Sequence, residues 1–289
     1  MVPMNRRGFT IAQLIVGIVT SSVVLTGVFR AVLSTQRNSQ ALAQRIDVQQ
    51  NVRAAAYYLG TVLRELDATD GDVISLANDA LLFRSMRWVG VLCDVPTKIG
   101  NDVFLPLRPS QFFGFEGPDA SIDSVLIFRD GDTGTRTDDR WLPGGVQSIN
   151  AGVCSDGSVA TRLRVGVDVS EGGADSVLIG VTEGAPLRGF QVAELKTLVD
   201  GKSRSWIGRR VANRAGSWTA AEPFIGPLAP SGFRLGFFDR DGNPTANPVE
   251  IASLSITVRG ESMGRAGRFK ETIRDSLGTR VALRNNRRF

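Results

Sequence analysis

Residues 9–29 read FTIAQLIVGIVTSSVVLTGVF, a run of 21 residues without a charged side chain. As a helix this run would be roughly 32 Å long, because each residue adds about 1.5 Å. The hydrocarbon core of a bilayer is about 30 Å thick, so the run predicts one membrane crossing. Arg6 and Arg7 precede it. By the positive-inside rule we expect the N-terminus in the cytoplasm and the rest of the chain outside, as a single-pass protein.

The polar sequence after this run keeps a helical rhythm. Apolar residues recur there mostly every three or four positions, which predicts one apolar stripe. The stripe consists of Leu42, Ile46, Val52, Ala56, Leu59, Leu63 and Leu66. No proline lies between positions 4 and 95, so we predict one helix from Phe9 to about Leu66. Its first part (9–33) would be apolar all round, and its amphipathic second part (34–66) would pack on the domain that follows.

Beyond residue 67 the sequence changes to short apolar or alternating segments separated by glycine and proline, which is typical of an antiparallel sheet. The alternation is clearest where Leu163 and Val165 follow Arg162 and Arg164 in turn. The predicted strands are Ala80–Arg87, Trp88–Val95, Ser124–Phe128, Thr161–Val169, Val177–Thr182, Phe190–Val199, Ser203–Val211, Phe233–Phe238, Ser253–Val258 and Phe269–Leu283. One long helix followed by many strands predicts an α+β fold with a single sheet-rich head over residues 67–289.

The composition narrows the function classes. With 42% hydrophobic residues the chain has enough apolar material for a core, but none of its 289 residues is histidine. Ser-His-Asp, Cys-His and histidine-based acid–base sites are therefore excluded. A zinc site would have to rely largely on carboxylates, which is unusual. We expect a protein that is not an enzyme and holds no cofactor, and an enzyme built on scattered carboxylates is the distant alternative.

The residues just before the apolar run carry the most specific motif. Arg6-Arg7-Gly8 followed by Phe9 and a membrane-length segment resembles the class III leader of type IV pilins and type II secretion pseudopilins. The resemblance implies that residues 1–8 are a leader, which a prepilin peptidase removes after Gly8. Phe9 would then be the mature, N-methylated N-terminus. It also implies that the helix first lies in the inner membrane and later stacks with other pilins or pseudopilins in a filament.

Gln13 departs from the family's pattern, because the fifth residue of the mature chain is usually glutamate. A carboxylate inside a membrane is costly unless it is paired, and in pilins it is thought to neutralise the terminal amine of a neighbouring subunit. Gln13 can accept a hydrogen bond from that amine but supplies no charge. We therefore expect a minor or tip-proximal subunit. The size and the order of elements are similar to PilW-like minor pilins and to the J-type pseudopilin.

A second interpretation needs no filament. Hydropathy alone is equally typical of a signal-anchored periplasmic binding or adhesin module that does not polymerise. The two interpretations differ at Gly8: a mature chain beginning at Phe9 indicates a pilin-like subunit, and an intact Met1 indicates the anchored module.

Cys93 and Cys154 both lie in the part of the chain that we expect outside the cytoplasm. Two cysteines in an oxidising compartment more often form a disulfide than remain reactive thiols. We therefore predict a Cys93–Cys154 disulfide, with free thiols as the alternative.

Asp239, Asp241 and Asn243 form an acidic turn that could be mistaken for a calcium loop. Glu250 is the twelfth residue counted from Asp239, which is where an EF-hand loop places its glutamate. Two prolines interrupt this stretch, however, and Asp-Gly-Asn is typical of a tight hairpin turn. We interpret these residues as a turn and keep calcium as the alternative ligand.

The chain has a net charge of +5, and residues 259–289 hold nine basic and three acidic side chains. Such a basic segment attracts DNA, anionic lipid or an acidic neighbouring subunit. Only Phe269 and Phe289 could stack on bases there, so any DNA contact would be electrostatic and blind to sequence. A solvated strand face is the interpretation we favour.

Overall fold

The computed structural model describes residues 11–114, 116–132, 134–135, 138–168, 170, 172–266 and 271–283. The predicted leader, with Arg6, Arg7 and Gly8, and the predicted mature N-terminus Phe9 lie outside these residues.

Helix α1 runs without a break from Ile11 to Arg64, which is 54 residues or about 81 Å. The prediction of one long N-terminal helix is thus confirmed. Its side chains become buried only from Val48 onward, and the buried residues are Val48, Val52, Ala55, Ala56, Leu59, Gly60 and Leu63. The prediction that the buried stripe begins at Leu42 is wrong. Leu42 and Ile46 are 60% and 43% exposed, because they lie to one side of the helix face that carries the buried residues.

Thirteen strands follow α1 in the described part of the chain, and every pairing between them is antiparallel. They are β1 (Val73–Ala77), β2 (Ala80–Val91), β3 (Thr97–Ile99), β4 (Asp102–Leu107), β5 (Phe113–Gly114), β6 (Ser124–Arg129), β7 (Arg140–Val153), β8 (Val159–Val167), β9 (Pro186–Val199), β10 (Ser205–Val211), β11 (Glu222–Phe238), β12 (Ser253–Ala266) and β13 (Glu271–Ala282). The predicted α+β class, a long helix followed by a large antiparallel sheet, is confirmed.

The strands form one sheet in the order β13-β12-β11-β10-β9-β6-β7-β8-β4-β3, with β2 on the other edge of β9. Along its first edge, β9 pairs with β6 through Leu187–Phe190 and with β10 through Ala193–Val199. The edge of β2 that faces away from β9 pairs with β1 as far as Phe83 and with β5 from Trp88 onward. Between these pairings β2 and β9 are the only paired strands among the described residues, at 84–87 and 191–192, with single backbone hydrogen bonds from Ala212 to Val192 and from Arg84 to Asp72 at the edges. We call this two-stranded region the waist.

The waist separates two lobes with separate hydrophobic cores. The helix-backed lobe comprises α1, β1 and β10–β13, and its core packs helix residues such as Leu59 against Phe83 and Ile256. The disulfide-bound lobe comprises β3–β8, and its core includes Trp88 and Leu163. A β-bulge between Met86 and Trp88 shifts the register of β2 against β9. Because β2 runs through both lobes, it contributes Phe83 to one core and Trp88 to the other.

Helix α1 lies very close to β12 at Gly260. A Cβ atom on this residue would be 2.7 Å from Val52 Cγ2 and 3.0 Å from Val48 Cγ1. Any larger residue would therefore push the helix away from the sheet. Gly260 is thus part of how the helix docks.

Several predicted strands differ from the observed ones. Ala80–Arg87 and Trp88–Val95 are not two strands, because β2 runs through both as far as Val91. The predicted strand Val177–Thr182 is wrong, since Gly173–Leu178 forms a short helix, α2, that buries Ala174 and Val177. A short apolar run does not distinguish a strand from a buried helical turn. The sequence analysis also missed β1, β3, β4, β5 and β7.

Candidate functional site

The apolar part of α1 is the first candidate site. The helix is long and apolar enough to span a membrane, and none of its apolar span is buried by the rest of the chain. Ile11 is 80% exposed and Phe29 is 64% exposed. Gln13 lies in the first turn of the described helix. In water, each Å² of such apolar surface costs about 25 cal/mol, so this surface requires a lipid or protein environment.

The charges that flank the apolar run do not decide its orientation. Arg6 and Arg7 precede it, but Arg30, Arg37 and Arg45 follow it, and the first acidic residue of the chain is Asp47. Because the positive-inside rule counts basic residues near both ends of a span, the orientation that we expect from Arg6 and Arg7 alone is not supported by the flanking charges.

The predicted disulfide between Cys93 and Cys154 is present, and its half-cystines are 61 positions apart. Cys93 follows β2 and donates its backbone N–H to the carbonyl of Pro106, 3.0 Å away. Cys154 follows β7 and donates to the carbonyl of Ser158 at 2.9 Å. The bond thus joins the ends of two strands of the disulfide-bound lobe. Disulfides persist in oxidising compartments, which favours a location of the head outside the cytoplasm.

The acidic turn at Asp239 has the geometry of a hairpin turn. The Asp239 carboxylate accepts hydrogen bonds from the backbone and side-chain nitrogens of Asn243, at 2.8 and 3.3 Å. These bonds, led by the backbone N–H of Asn243, lower the pKa of Asp239. Gly242 takes a φ of +86°, as such a turn requires. Within the described ranges no three acidic, cysteine or histidine side chains are grouped to hold a metal ion.

The basic C-terminal segment is only partly described. Arg274 pairs with Glu261 at 2.9 Å, and the Arg280 guanidinium lies 4.3 Å from the centre of the Phe238 ring. Both belong to the β12–β13 surface. Residues 267–270 and 284–289, with most of the remaining basic side chains, lie outside the described residues. The candidate DNA contact therefore stays a prediction.

The second candidate site is a groove of about 470 Å³ between the end of α1 and the waist. We call it the junction groove. The helix contributes Tyr57 and Tyr58, and the waist strands contribute aromatic, apolar and basic side chains. The other lining residues are Thr61, Val62, Glu65, Leu66, Asp72, Arg84, Ser85, Met86, Arg87, Glu116, Leu126, Arg188, Phe190, Gln191 and Arg209. Along one edge of β9, β6 pairs as far as Phe190 in one lobe and β10 pairs from Ala193 in the other. The groove lies beside the gap between these two pairings, where Gln191 lines it.

Two of its four arginines are held by partners. Arg87 lies 2.7 Å from Asp123 and 2.7 Å from Glu116. Asp123 is fully buried, and it also accepts the indole N–H of Trp88 at 2.8 Å. Burial raises the pKa of Asp123, whereas the Trp88 and Arg87 contacts oppose the rise. Arg84 donates to the backbone carbonyl of Asp70 at 2.9 Å. These contacts fix the groove wall at the point where the two lobes meet.

Asp67 and Asp72 close the turn after α1, beside the groove. The Asp67 backbone N–H donates to the Asp72 carboxylate at 2.9 Å, and both residues are buried. Burial, together with the charge of Asp70, raises the pKa of Asp67 to about 6. Burial also raises the pKa of Asp72. The turn after the helix therefore carries carboxyl groups that lose their protons at a higher pH than ordinary aspartates.

The other two arginines of the groove form no ion pair with any residue that the structure describes. The Arg188 guanidinium lies 4.1 Å from the centre of the Trp141 ring. Its Nη1 atom is buried and has no hydrogen-bond partner among the described residues. Arg209 lies on β10 and is half-buried. This groove was not predicted from the sequence, where the available signal was arginines placed inside apolar strand segments.

Comparisons with known proteins give the chain no family: no protein-family model, no curated protein and no solved structure matches it. A function is therefore inferred from the exposed apolar helix, the disulfide and the leader-like motif.

Proposed function

We propose that this chain is a minor, tip-proximal pilin or pseudopilin. In this proposal it is a structural subunit, inserted in the inner membrane with its head outside the cytoplasm. A prepilin peptidase cleaves it after Gly8, and it then enters a type IV pilus or a type II secretion pseudopilus. Its partners are other pilins or pseudopilins of the filament.

Helix α1 is the observation that carries the proposal. One uninterrupted helix is exposed and apolar in its first half, and it forms part of the head's core from Val48 onward. A simple membrane anchor needs only the apolar half. A rod that is built into the head can instead leave the lipid and pack against equivalent rods without losing its attachment. Water would penalise the exposed rod by about 25 cal/mol per Å², so the rod remains in lipid or in a filament.

The disulfide supports the proposed orientation. Cys93–Cys154 lies in the head, and such bonds are rare in the reducing cytoplasm. With the head outside, a single crossing leaves Arg6, Arg7 and Gly8 on the cytoplasmic side, where prepilin peptidases of the resembled family cut.

Gln13 supports the placement near a tip. In a subunit that has another above it, residue 13 would have to neutralise the terminal amine of that neighbour, and Gln13 supplies no charge for this. A subunit with no partner above it tolerates that loss. Gln13→Glu is expected to leave assembly intact or to improve it, as measured by incorporation into sheared filaments. Abolished assembly would contradict this placement.

Mass spectrometry of the mature N-terminus tests the proposal most directly. The full chain, expressed with a prepilin peptidase, is expected to begin at Phe9, and Gly8→Glu is expected to retain residues 1–8. The same chain expressed without the peptidase is the control. An intact Met1 in the presence of an active peptidase would instead favour a signal-anchored periplasmic module that does not polymerise.

A further inference from the structure

We propose that the junction groove binds the carboxylate of a ligand that also has an apolar or aromatic body. This proposal does not depend on filament assembly, because every residue that lines the groove lies at position 57 or later, outside the apolar part of α1.

The groove has a wall suited to an apolar body. Tyr57, Tyr58, Met86, Leu126 and Phe190 line it. Tyr57 is 78% exposed, so its ring is available to cover a ligand rather than to fill the core. Tyr58 is held in place by an edge-on contact with Phe224, whose ring centre is 4.9 Å away. A groove of about 470 Å³ falls within the range that small ligands or short peptide segments occupy.

The groove also carries guanidinium groups that lack a direct anionic partner among the residues that the structure describes. Arg188 has a buried Nη1 without an acceptor among the described residues. A buried donor left unpaired costs free energy, so the Arg188 guanidinium gains if a rotation of its side chain brings it to an acceptor of a ligand in the groove. Asp72 is near enough to interact electrostatically with Arg188 but forms no ion pair with it in the described part of the chain. Arg209 adds a second such guanidinium to the lining.

The charges of the groove favour a monoanion. Glu116 is paired with Arg87, and Asp72 lies 4.0 Å from Arg84. The single charge of Arg87 also faces Asp123, so it is shared by two carboxylates. Among the other lining residues, Arg188 and Arg209 remain as cations and Glu65 as an exposed acid. The planar fork of an arginine matches a carboxylate in two parallel hydrogen bonds. A singly charged carboxylate therefore fits the remaining charge better than a doubly charged phosphate.

Two sources could supply this chemistry: an acidic side chain of a peptide segment, or a free small carboxylic acid. Calorimetric titration of the full chain in neutral detergent at pH 7 distinguishes them. The probes are acetyl-Phe-Glu-Phe-amide, its Gln analogue and 3-phenylpropionate. The Glu peptide is expected to bind at least about tenfold more tightly than the Gln peptide, since a hydrogen bond to a charged group contributes that much or more.

Variants locate the binding site. Arg209→Gln is expected to weaken the charged probe about tenfold or more. Tyr57→Ala is expected to weaken it severalfold, and it does not threaten folding because the ring is mostly exposed. Arg234→Gln is the matched control, because Arg234 is exposed on β11 and is not among the residues that line the groove.

Each result has a defined meaning. Binding of the Glu peptide alone identifies a peptide source, and binding of 3-phenylpropionate alone identifies a free acid. Either result, or binding of both probes, supports the proposal if Arg209→Gln weakens the binding about tenfold or more. Equal binding of the Glu and Gln peptides, no binding of any probe, or binding that Arg209→Gln leaves unchanged would overturn it. A chain that keeps its leader and never assembles would overturn the proposed function but not this one.

Discussion

The helix-backed lobe and the disulfide-bound lobe belong to one sheet but are stabilised in different ways. In the first, Leu59, Leu63 and other residues of α1 form part of the core. In the second, the only α-helix in the described residues is α2, six residues long, and a disulfide joins two strand ends. Stability of the first lobe thus depends on how the anchoring helix docks. Stability of the second depends on the redox state of its surroundings.

Removing the disulfide should have the largest effect and should act on one lobe. Cys93→Ala combined with Cys154→Ala is expected to lower the free energy of unfolding by about 4 kcal/mol, because the bond closes a long loop. Hydrogen exchange should show the lost protection in β4, β7 and β8 and much less in β12 and β13. The oxidised and reduced wild-type chains are the controls. Equal loss in both lobes would mean that the waist couples them into one cooperative unit.

The same leucine-to-alanine change should destabilise the head when it is made in the second half of α1 and leave the stability of the head nearly unchanged when it is made in the first half. Leu59 is fully buried, whereas Leu25 is 67% exposed. Leu59→Ala is expected to destabilise the helix-backed lobe by about 3 kcal/mol, from lost apolar burial and the cavity left behind. Leu25→Ala should leave the urea midpoint of the head nearly unchanged. A similar loss in both variants would show that the exposed half also supports the head.

The close contact between helix and sheet offers a smaller test. Gly260→Ala is expected to cost about 2 kcal/mol, since its new methyl group would meet Val52 and Val48. Gly201→Ala is the control, because a Cβ there meets no atom within 4 Å. Thermal unfolding of both variants measures the difference. An unchanged melting temperature for Gly260→Ala would mean that the helix docks more loosely than the contact implies.

The turn at the end of α1 should make the helix-backed lobe sensitive to pH. The pKa of Asp67 is about 6 in the folded chain and about 3.9 in an unfolded one. The folded state therefore holds this proton more tightly, and stability falls as the pH rises from about 4 to about 6.

Asp67→Asn keeps a side-chain oxygen for the backbone N–H groups of Thr69 and Asp70, which Asp67 binds at 3.0 and 3.2 Å. The variant should gain about 1 kcal/mol over the wild type by pH 7 and little at pH 4. Urea unfolding at several pH values measures this gain. Asp79→Asn, at an exposed turn position, is the control. A constant difference between Asp67→Asn and the wild type at all pH values would contradict the assignment.

The sequence was sufficient to predict features that depend on local pattern. The long helix follows from uninterrupted periodicity without proline, and strands such as β8, β9 and β10 follow from alternation or apolar runs. The disulfide followed because the chain has only two cysteines. By contrast, β7 contains Pro143, Gly144 and Gly145, which are typical of a loop. Its neighbours β6 and β8 make it a strand by pairing along both edges.

The two lobes and the junction groove could not be predicted, because long-range pairing creates them. β2 supplies Phe83 to one core and Trp88 to the other, and no local motif marks the bulge between Met86 and Trp88 that shifts its register. Arg188 and Arg209 are 21 positions apart. They line one groove only because the antiparallel pairing of β9 and β10 places both arginines beside the end of α1. Likewise Leu42 and Ile46 fit the helical spacing, but only the position of the sheet determines which helix face is covered.

Because the core of the helix-backed lobe begins at Val48, the position of a truncation matters for any soluble fragment of this protein. A fragment starting near residue 40 would omit the apolar run and retain the complete core. One starting a few turns later would remove Val48, Val52 and Ala55 and uncover the part of β12 around Gly260. The boundary between membrane segment and head therefore does not coincide with the end of the helix.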